Sequence, residues 1–137
     1  MKNSILILLL FVSAISFSQE SAAESPLIAI KILLGETIQV ENHSITFKEV
    51  LEDSRCPTGV NCVWAGRAKI SVEVSKEGEE LVEKNLIFGE TMQGESNSML
   101  LFSENDSQVI GLKLNPYPNS EEQAEDRSYV LLVYIKK

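Results

Sequence analysis

Side chains alternate between apolar and polar along much of this chain. The clearest run covers residues 68–75, where Ala68, Ile70, Val72 and Val74 interleave with Lys69, Ser71, Glu73 and Ser75. Successive side chains of an extended chain point to opposite faces, so such a run places one face in a core and the other in water. Shorter runs rich in Val, Ile, Leu, Thr and Phe read the same way: "LIAIKILL", "ETIQV", "SITFKEVLE", "LVEKNLIF", "MLLF" and "QVIGLKLN". In the last of these, Ile110, Leu112 and Leu114 are expected on one face. "SYVLLVYI" is apolar on both faces, which predicts a central strand.

Between these runs stand turn signals. Gly35, the "ENH" that contains His43, "KEGEE" with Gly78, and "ENDSQ" each predict a reversal, and "GETMQGESNS" predicts a loop. "PYPNSEEQAED" is expected to be a connection, because Pro116 and Pro118 have no N–H to give a sheet ladder. The alternative for "NSEEQAED" within it is a single acidic helical turn capped by Ser120. No segment sustains an apolar stripe of period 3.6. The prediction is an all-β, mainly antiparallel fold, a β-sandwich or small barrel of seven or eight strands.

The first residues depart from this pattern. "MKNSILILLLFVSAISFS" has one early charge, an apolar stretch from Ile5 to about Val12, and small residues at Ser16 and Ser18. That order matches a secretory signal peptide, and the apolar stretch falls short of the roughly 20 residues that span a bilayer. The organisation expected is a signal peptide over 1–18, cleaved near Ser18, a flexible lead-in over 19–26, and one β domain over 27–137. A second cleavage position follows Ala23. Neither position has a cysteine beside it, so no lipid anchor is expected, and no membrane span after cleavage. The localisation that follows is secreted or periplasmic.

Charge narrows the partners. Twenty acidic residues against twelve basic ones give a formal charge of −8, which argues against nucleic acid and against an anionic membrane surface as partner.

Rare residues crowd into "EDSRCPTGVNCVWAGRAKISVEV", residues 52–74, which holds both cysteines and the only tryptophan. In an oxidising compartment, Cys56 and Cys62 most simply form a disulfide across Pro57, Thr58, Gly59, Val60 and Asn61. Five intervening residues do not suit a redox dithiol, which favours C-x-x-C. The two cysteines with His43 supply only three of the four ligands of a zinc site. An alternative to a purely structural staple is a stiffened loop that inserts into a partner. Trp64, two residues past Cys62, is expected to pack over the disulfide at one end of the core, with ligand stacking as the sharper alternative. Gly66 is expected to permit a bulge or a close backbone approach. Arg55 and Arg67 flank the staple and are expected to pair with Asp53 or Glu52, or to meet an anion. Candidate partner-contact residues are therefore Pro57, Thr58, Gly59, Val60, Asn61, Trp64, Arg55 and Arg67.

"EDSRCPTGVNCVWAG", with "LLGETIQV" upstream and "LNPYP" before a final "SYVLLVYI", resembles a family of small exported bacterial proteins, many of them lipoproteins, with a DSRCP-x(4)-C-x-W-x-G core. The similarity runs from about Leu33 to Ile135. It implies export, a domain of that extent and the pairing of Cys56 with Cys62, and it lends no activity. Two departures stand out: this chain lacks the lipoprotein cysteine, and Arg67 occupies a position that is often acidic or amide-bearing in the family.

Enzymatic patterns are sparse. A lone His43 in a turn is a poor base for a triad, and no spacing singles out two carboxylates. "SENDSQ" and "NSEEQAED" depart from the calcium-loop template and read as solvated turns. No cofactor and no metal site are expected. The favoured function is a non-enzymatic exported module, binding or structural, whose partner is a protein, glycan or small ligand. The alternatives are a small hydrolase using paired carboxylates and an inhibitor-like protein that presents the 57–61 loop.

Overall fold

The computed structural model describes residues 28–122 and 126–137. The expected signal peptide and lead-in lie outside the described residues, as does part of the expected acidic helical turn. Eight strands follow in order: β1 (Ala29–Leu33), β2 (Thr37–Val40), β3 (His43–Asp53), β4 (Arg67–Lys76), β5 (Val82–Gly89), β6 (Leu100–Glu104), β7 (Ser107–Asn115) and β8 (Val130–Lys136). They form two four-stranded antiparallel sheets, ordered β1-β8-β7-β6 and β2-β3-β4-β5. The fold is thus all-β and antiparallel, and the arrangement is a sandwich rather than a barrel. β8, apolar on both faces, lies inside its sheet between β1 and β7 as its composition predicts.

The period-two pattern explains which face each strand buries. Ile45, Phe47, Ile70, Val72 and Leu86 line the inner face of one sheet. Ile32, Leu101, Val109, Leu131 and Val133 line the inner face of the other. Each large aliphatic side chain removed from water this way contributes about 1.5–3 kcal/mol before chain entropy is counted. Turn chemistry sets the hairpins. Asn105 and Asp106 both take positive φ, the two-residue geometry that matches strand twist, and Gly78 does so in the β4–β5 turn.

Two sequence expectations fail for identifiable reasons. His43 is not in a turn but opens β3, where its ring stacks on Phe102 of the opposite sheet at 3.8 Å between centroids. The reversal is made instead by Glu41 and Asn42, with Glu41 at φ 55°. Along β7 a bulge between Gly111 and Lys113 interrupts the alternation. Val109 and Leu114 are buried while Leu112 is exposed, because one extra residue moves every later side chain to the other face.

Candidate functional site: the stapled loop between β3 and β4

Residues 54–66 connect β3 to β4 at one end of the sandwich. Their base is held by main-chain bonds: Ser54 N–H donates to Arg67 O at 2.8 Å and Cys56 N–H to Ala65 O at 2.7 Å. Gly66 makes this closeness feasible. It takes φ 70°, and a Cβ built there would stand 1.8 Å from the Ser54 carbonyl oxygen. The expected close backbone approach is therefore the role of Gly66. Farther out, Thr58 N–H donates to Pro118 O at 3.0 Å, tying the loop to the β7–β8 connection. Cys56 and Cys62 are joined in a disulfide with their Cα atoms 5.9 Å apart.

Beneath the loop lies a buried polar cluster. Arg55, 8% exposed, donates from Nε to Asp53 Oδ1 at 2.7 Å and from Nη2 to Asp53 Oδ2 at 2.8 Å. It also donates to the carbonyls of Leu114 at 2.9 Å and Pro116 at 3.0 Å, and lies over the Tyr117 ring at 5.0 Å. Tyr129 OH, from the segment entering β8, donates to Asp53 Oδ2 at 2.9 Å, and Arg127 stands 3.5 Å from the same oxygen. Burial pushes the Asp53 carboxyl up, but the hydrogen bonds from Arg55 and Tyr129 outweigh it and hold the group below the usual aspartate range. Burial raises the Tyr129 phenol.

Arg67 heads a second, shallower network. It is 8% exposed and donates from Nη2 to Glu52 Oε2 at 2.9 Å, while Nη1 bonds Glu95 of the β5–β6 loop. Lys69 Nζ reaches the other Glu95 oxygen at 3.0 Å, and Met92 N–H donates to Glu95 at 2.9 Å. That Met92 bond, with Lys69 and Arg67, draws the Glu95 carboxyl down to about 2. Both arginines therefore pair with the carboxylates expected from sequence. Their guanidinium groups are buried and committed within the chain, which makes them positioning residues rather than a contact surface.

The exposed residues are different ones. Trp64 is 72% exposed and Val63 92%. The expectation that the indole covers the disulfide at the core end is thus corrected. Residues 62–65 do not continue the β4 alternation, because the strand begins only at Arg67, so two-residue spacing says nothing about which side Trp64 faces. Thr58, Gly59, Val60 and Asn61 are exposed too, and Pro57 is half-buried. Trp64 lines an open hollow of about 160 Å³ together with Glu52, Arg67, Glu90, Thr91 and Met92.

The site thus gathers residues that sequence reasoning did not single out. Tyr129, Leu114 and Glu95 meet the cysteine segment only through strand topology, and Met92 only through the course of the β5–β6 loop. A sequence trace of Tyr129 is its place ahead of the final strand in "SYVLLVYI". Among the described residues no helix is long and apolar enough to cross a membrane, and no three His, Cys, Asp or Glu side chains stand together as a metal site. Both cysteine sulfurs are taken up by the disulfide, which removes them as zinc ligands. No protein-family model, no curated protein and no solved structure matches this chain.

Proposed function

We propose that this protein is an exported, non-enzymatic recognition module that presents the tip of the β3–β4 loop to a protein partner. The observation that carries the reading is Trp64: a large indole stands in water on a loop whose base is fixed by Arg55, Gly66 and the disulfide. Tryptophan is prominent among the residues that dominate binding energy at protein interfaces. A loop already held in place forfeits less entropy when it docks. Val63 projects beside it, and Val60 and Met92 add exposed apolar surface nearby. Side chains that project suit a partner's pocket. The hollow at their side is well below the ~300–1,000 Å³ of a typical small-molecule site. A disulfide also fits a secreted or periplasmic location, where thiols are oxidised.

Paired carboxylates count against the hydrolase alternative. Glu73 and Glu83 bracket Lys48, and Glu52 and Glu95 bracket Arg67. Glu52 and Glu83 are pulled below the usual range by these cations, and Glu95 by the Met92 N–H together with Lys69 and Arg67, whereas a general acid needs a raised value.

The test compares wild type with Trp64→Ala and Val63→Ala in a pull-down from envelope extracts, with urea midpoints as the fold control. Loss of the same captured protein in both variants, at unchanged midpoints, is the result expected. Equal capture by all three proteins would remove the loop tip from recognition.

A further inference from the structure

The two sheets turn unlike faces to solvent. Outward positions of β2–β5 are mostly polar, with Leu51 and Ile87 as exceptions, and many are tied to one another: Thr37 to Thr46 at 2.8 Å, Ser44 to Ser75 at 2.6 Å, and Lys48 between Glu73 and Glu83. On the other sheet the registers align outward side chains in rows. Ala29, Tyr134, Ile110 and Leu100 form one row across all four strands. On one side lies the row Lys31, Leu132 and Lys113, and on the other the row Lys136, Gln108 and Ser103. Rows on one face are two residues apart, about 6.6–6.8 Å. An apolar strip therefore runs between a row that holds Lys31 and Lys113 and a row that holds Lys136. Among the described residues the outward positions of β1, β8, β7 and β6 hold no carboxylate, although the chain has twenty and carries −8 overall. Glu104 of β6 turns inward, to Lys76 and His43 of the opposite sheet.

We propose that this face docks an acidic amphipathic helix of a partner protein, laid across the strands along the Ala29–Leu100 row. Its apolar stripe would cover Tyr134, Ile110 and Leu100. Carboxylates along its flanks would reach Lys136 on one side and Lys31 and Lys113 on the other. Dimensions agree: a helix is about 10–12 Å across with its side chains, and the lysine rows on the two sides are about 13 Å apart. Four strands about 4.8 Å apart span some 14 Å, which two to three helical turns cover.

Charge and shape separate this occupant from two others. A second copy placed face to face brings the lysines of both copies into one interface with no carboxylate to answer them. An anionic lipid surface gains about 1 kcal/mol from each lysine, against repulsion of the remaining acidic chain. Tyr134, Ile110 and Leu132 also lie half-buried in the sheet rather than projecting as an insertion into acyl chains requires. Lys113 shares a hollow with Ala65 and Gly66 at the base of the Trp64 loop, but Trp64 itself does not line that hollow, so the two proposals are tested by different side chains.

Two lactam-stapled helices with the same leucine stripe, one flanked by glutamates and one by lysines, provide the test. Each is titrated into the protein with amide chemical shifts as the readout. The glutamate helix should bind and shift amides of β1, β6, β7 and β8, and it should bind Trp64→Ala equally well. The exposed triple change Lys31→Glu, Lys113→Glu, Lys136→Glu should weaken it about tenfold or more and favour the lysine helix. Equal binding of both helices, or shifts confined to other strands, overturns the proposal. So does sedimentation with phosphatidylglycerol vesicles, or dimerisation, that the triple variant abolishes while neither helix binds.

Discussion

Arg55 follows β3 in one sheet and Leu114 lies near the end of β7 in the other, yet Arg55 Nη1 donates to the Leu114 carbonyl at 2.9 Å. With Asp53 neutralising its charge, this single side chain cross-ties the two sheets and fixes the loop that carries Trp64. The short "DSRCP" segment therefore supplies an anion, a serine that closes the base, a bridging cation, a staple and a turn residue in five consecutive positions.

Replacing Arg55 with alanine should destabilise the protein by about 3–5 kcal/mol, because Asp53 is then left buried with only Tyr129 and Arg127 beside it. Lysine should recover little of that loss, since it cannot form the planar two-point bond to Asp53 while reaching Leu114 and Pro116. Urea unfolding of the two variants reads both effects. An Arg55→Lys protein as stable as wild type would show that charge alone matters here.

Gly66→Ala should be among the most damaging small changes available. The added methyl must displace the Ser54 carbonyl, and φ 70° is itself unfavourable for alanine. A loss of about 3 kcal/mol or more is expected, against the ~0.5 kcal/mol typical of surface sites. Gly78→Ala, also at positive φ but with open space around it, is the matched control and should cost less. Thermal midpoints of the pair separate steric clash from backbone strain.

Removing the staple as the double change Cys56→Ser, Cys62→Ser should cost about 2 kcal/mol, the amount expected for so small a closed loop. The fold should survive, because Ser54, Cys56 and Thr58 keep their main-chain bonds. Circular dichroism should stay native while the urea midpoint falls. Global unfolding of the double variant would mean that the disulfide, and not the Arg55 cluster, organises this end of the sandwich.

Acid should unfold the protein in a defined window. Asp53 and Glu95 both have depressed values when folded, so their contribution is present above the ordinary carboxylate range and is lost as pH falls through the folded values. Stability should thus decline from about pH 4, where unfolded carboxylates titrate, down to the Glu95 value of about 2. Glu95→Gln should make the decline shallower across this window, leaving the part that Asp53 carries. Urea midpoints taken at intervals from pH 7 to 2 test this, and identical curves for the two proteins would take Glu95 out of the account.

Most strands were legible because a two-sided environment writes itself as alternation, as over residues 68–75. What was not legible has physical causes. Leu112 faces away from the side that alternation predicts because a bulge adds one residue without changing composition. His43 was misplaced because a ring that stacks on Phe102 across the core has the same one-letter neighbours as a turn. The Arg–Asp pair was foreseen, since Arg55 and Asp53 are two positions apart, but their bonds to Leu114, Pro116 and Tyr129 span 59 to 76 positions. Only strand order brings those together. Trp64 shows the limit most plainly: spacing from Cys62 suggested a side, and the path of the loop decided another.

The way Gly59, Val60 and Asn61 are held has a consequence for how such a protein can diversify. The side-chain and cross-loop bonds that secure the loop come from residues before Gly59 or from position 62 onward, with Arg55 below, Cys56 and Cys62 at the neck and Thr58 against Pro118; the tip adds one main-chain bond, from Val60 N–H to the Pro57 carbonyl. The tip itself carries almost no folding information beyond the positive φ of Gly59. Side-chain substitutions at 60 and 61, both exposed, can accumulate without touching the sandwich. A duplicated copy of this chain could thus vary the surface it presents at these positions by drift at a few codons while keeping its scaffold intact.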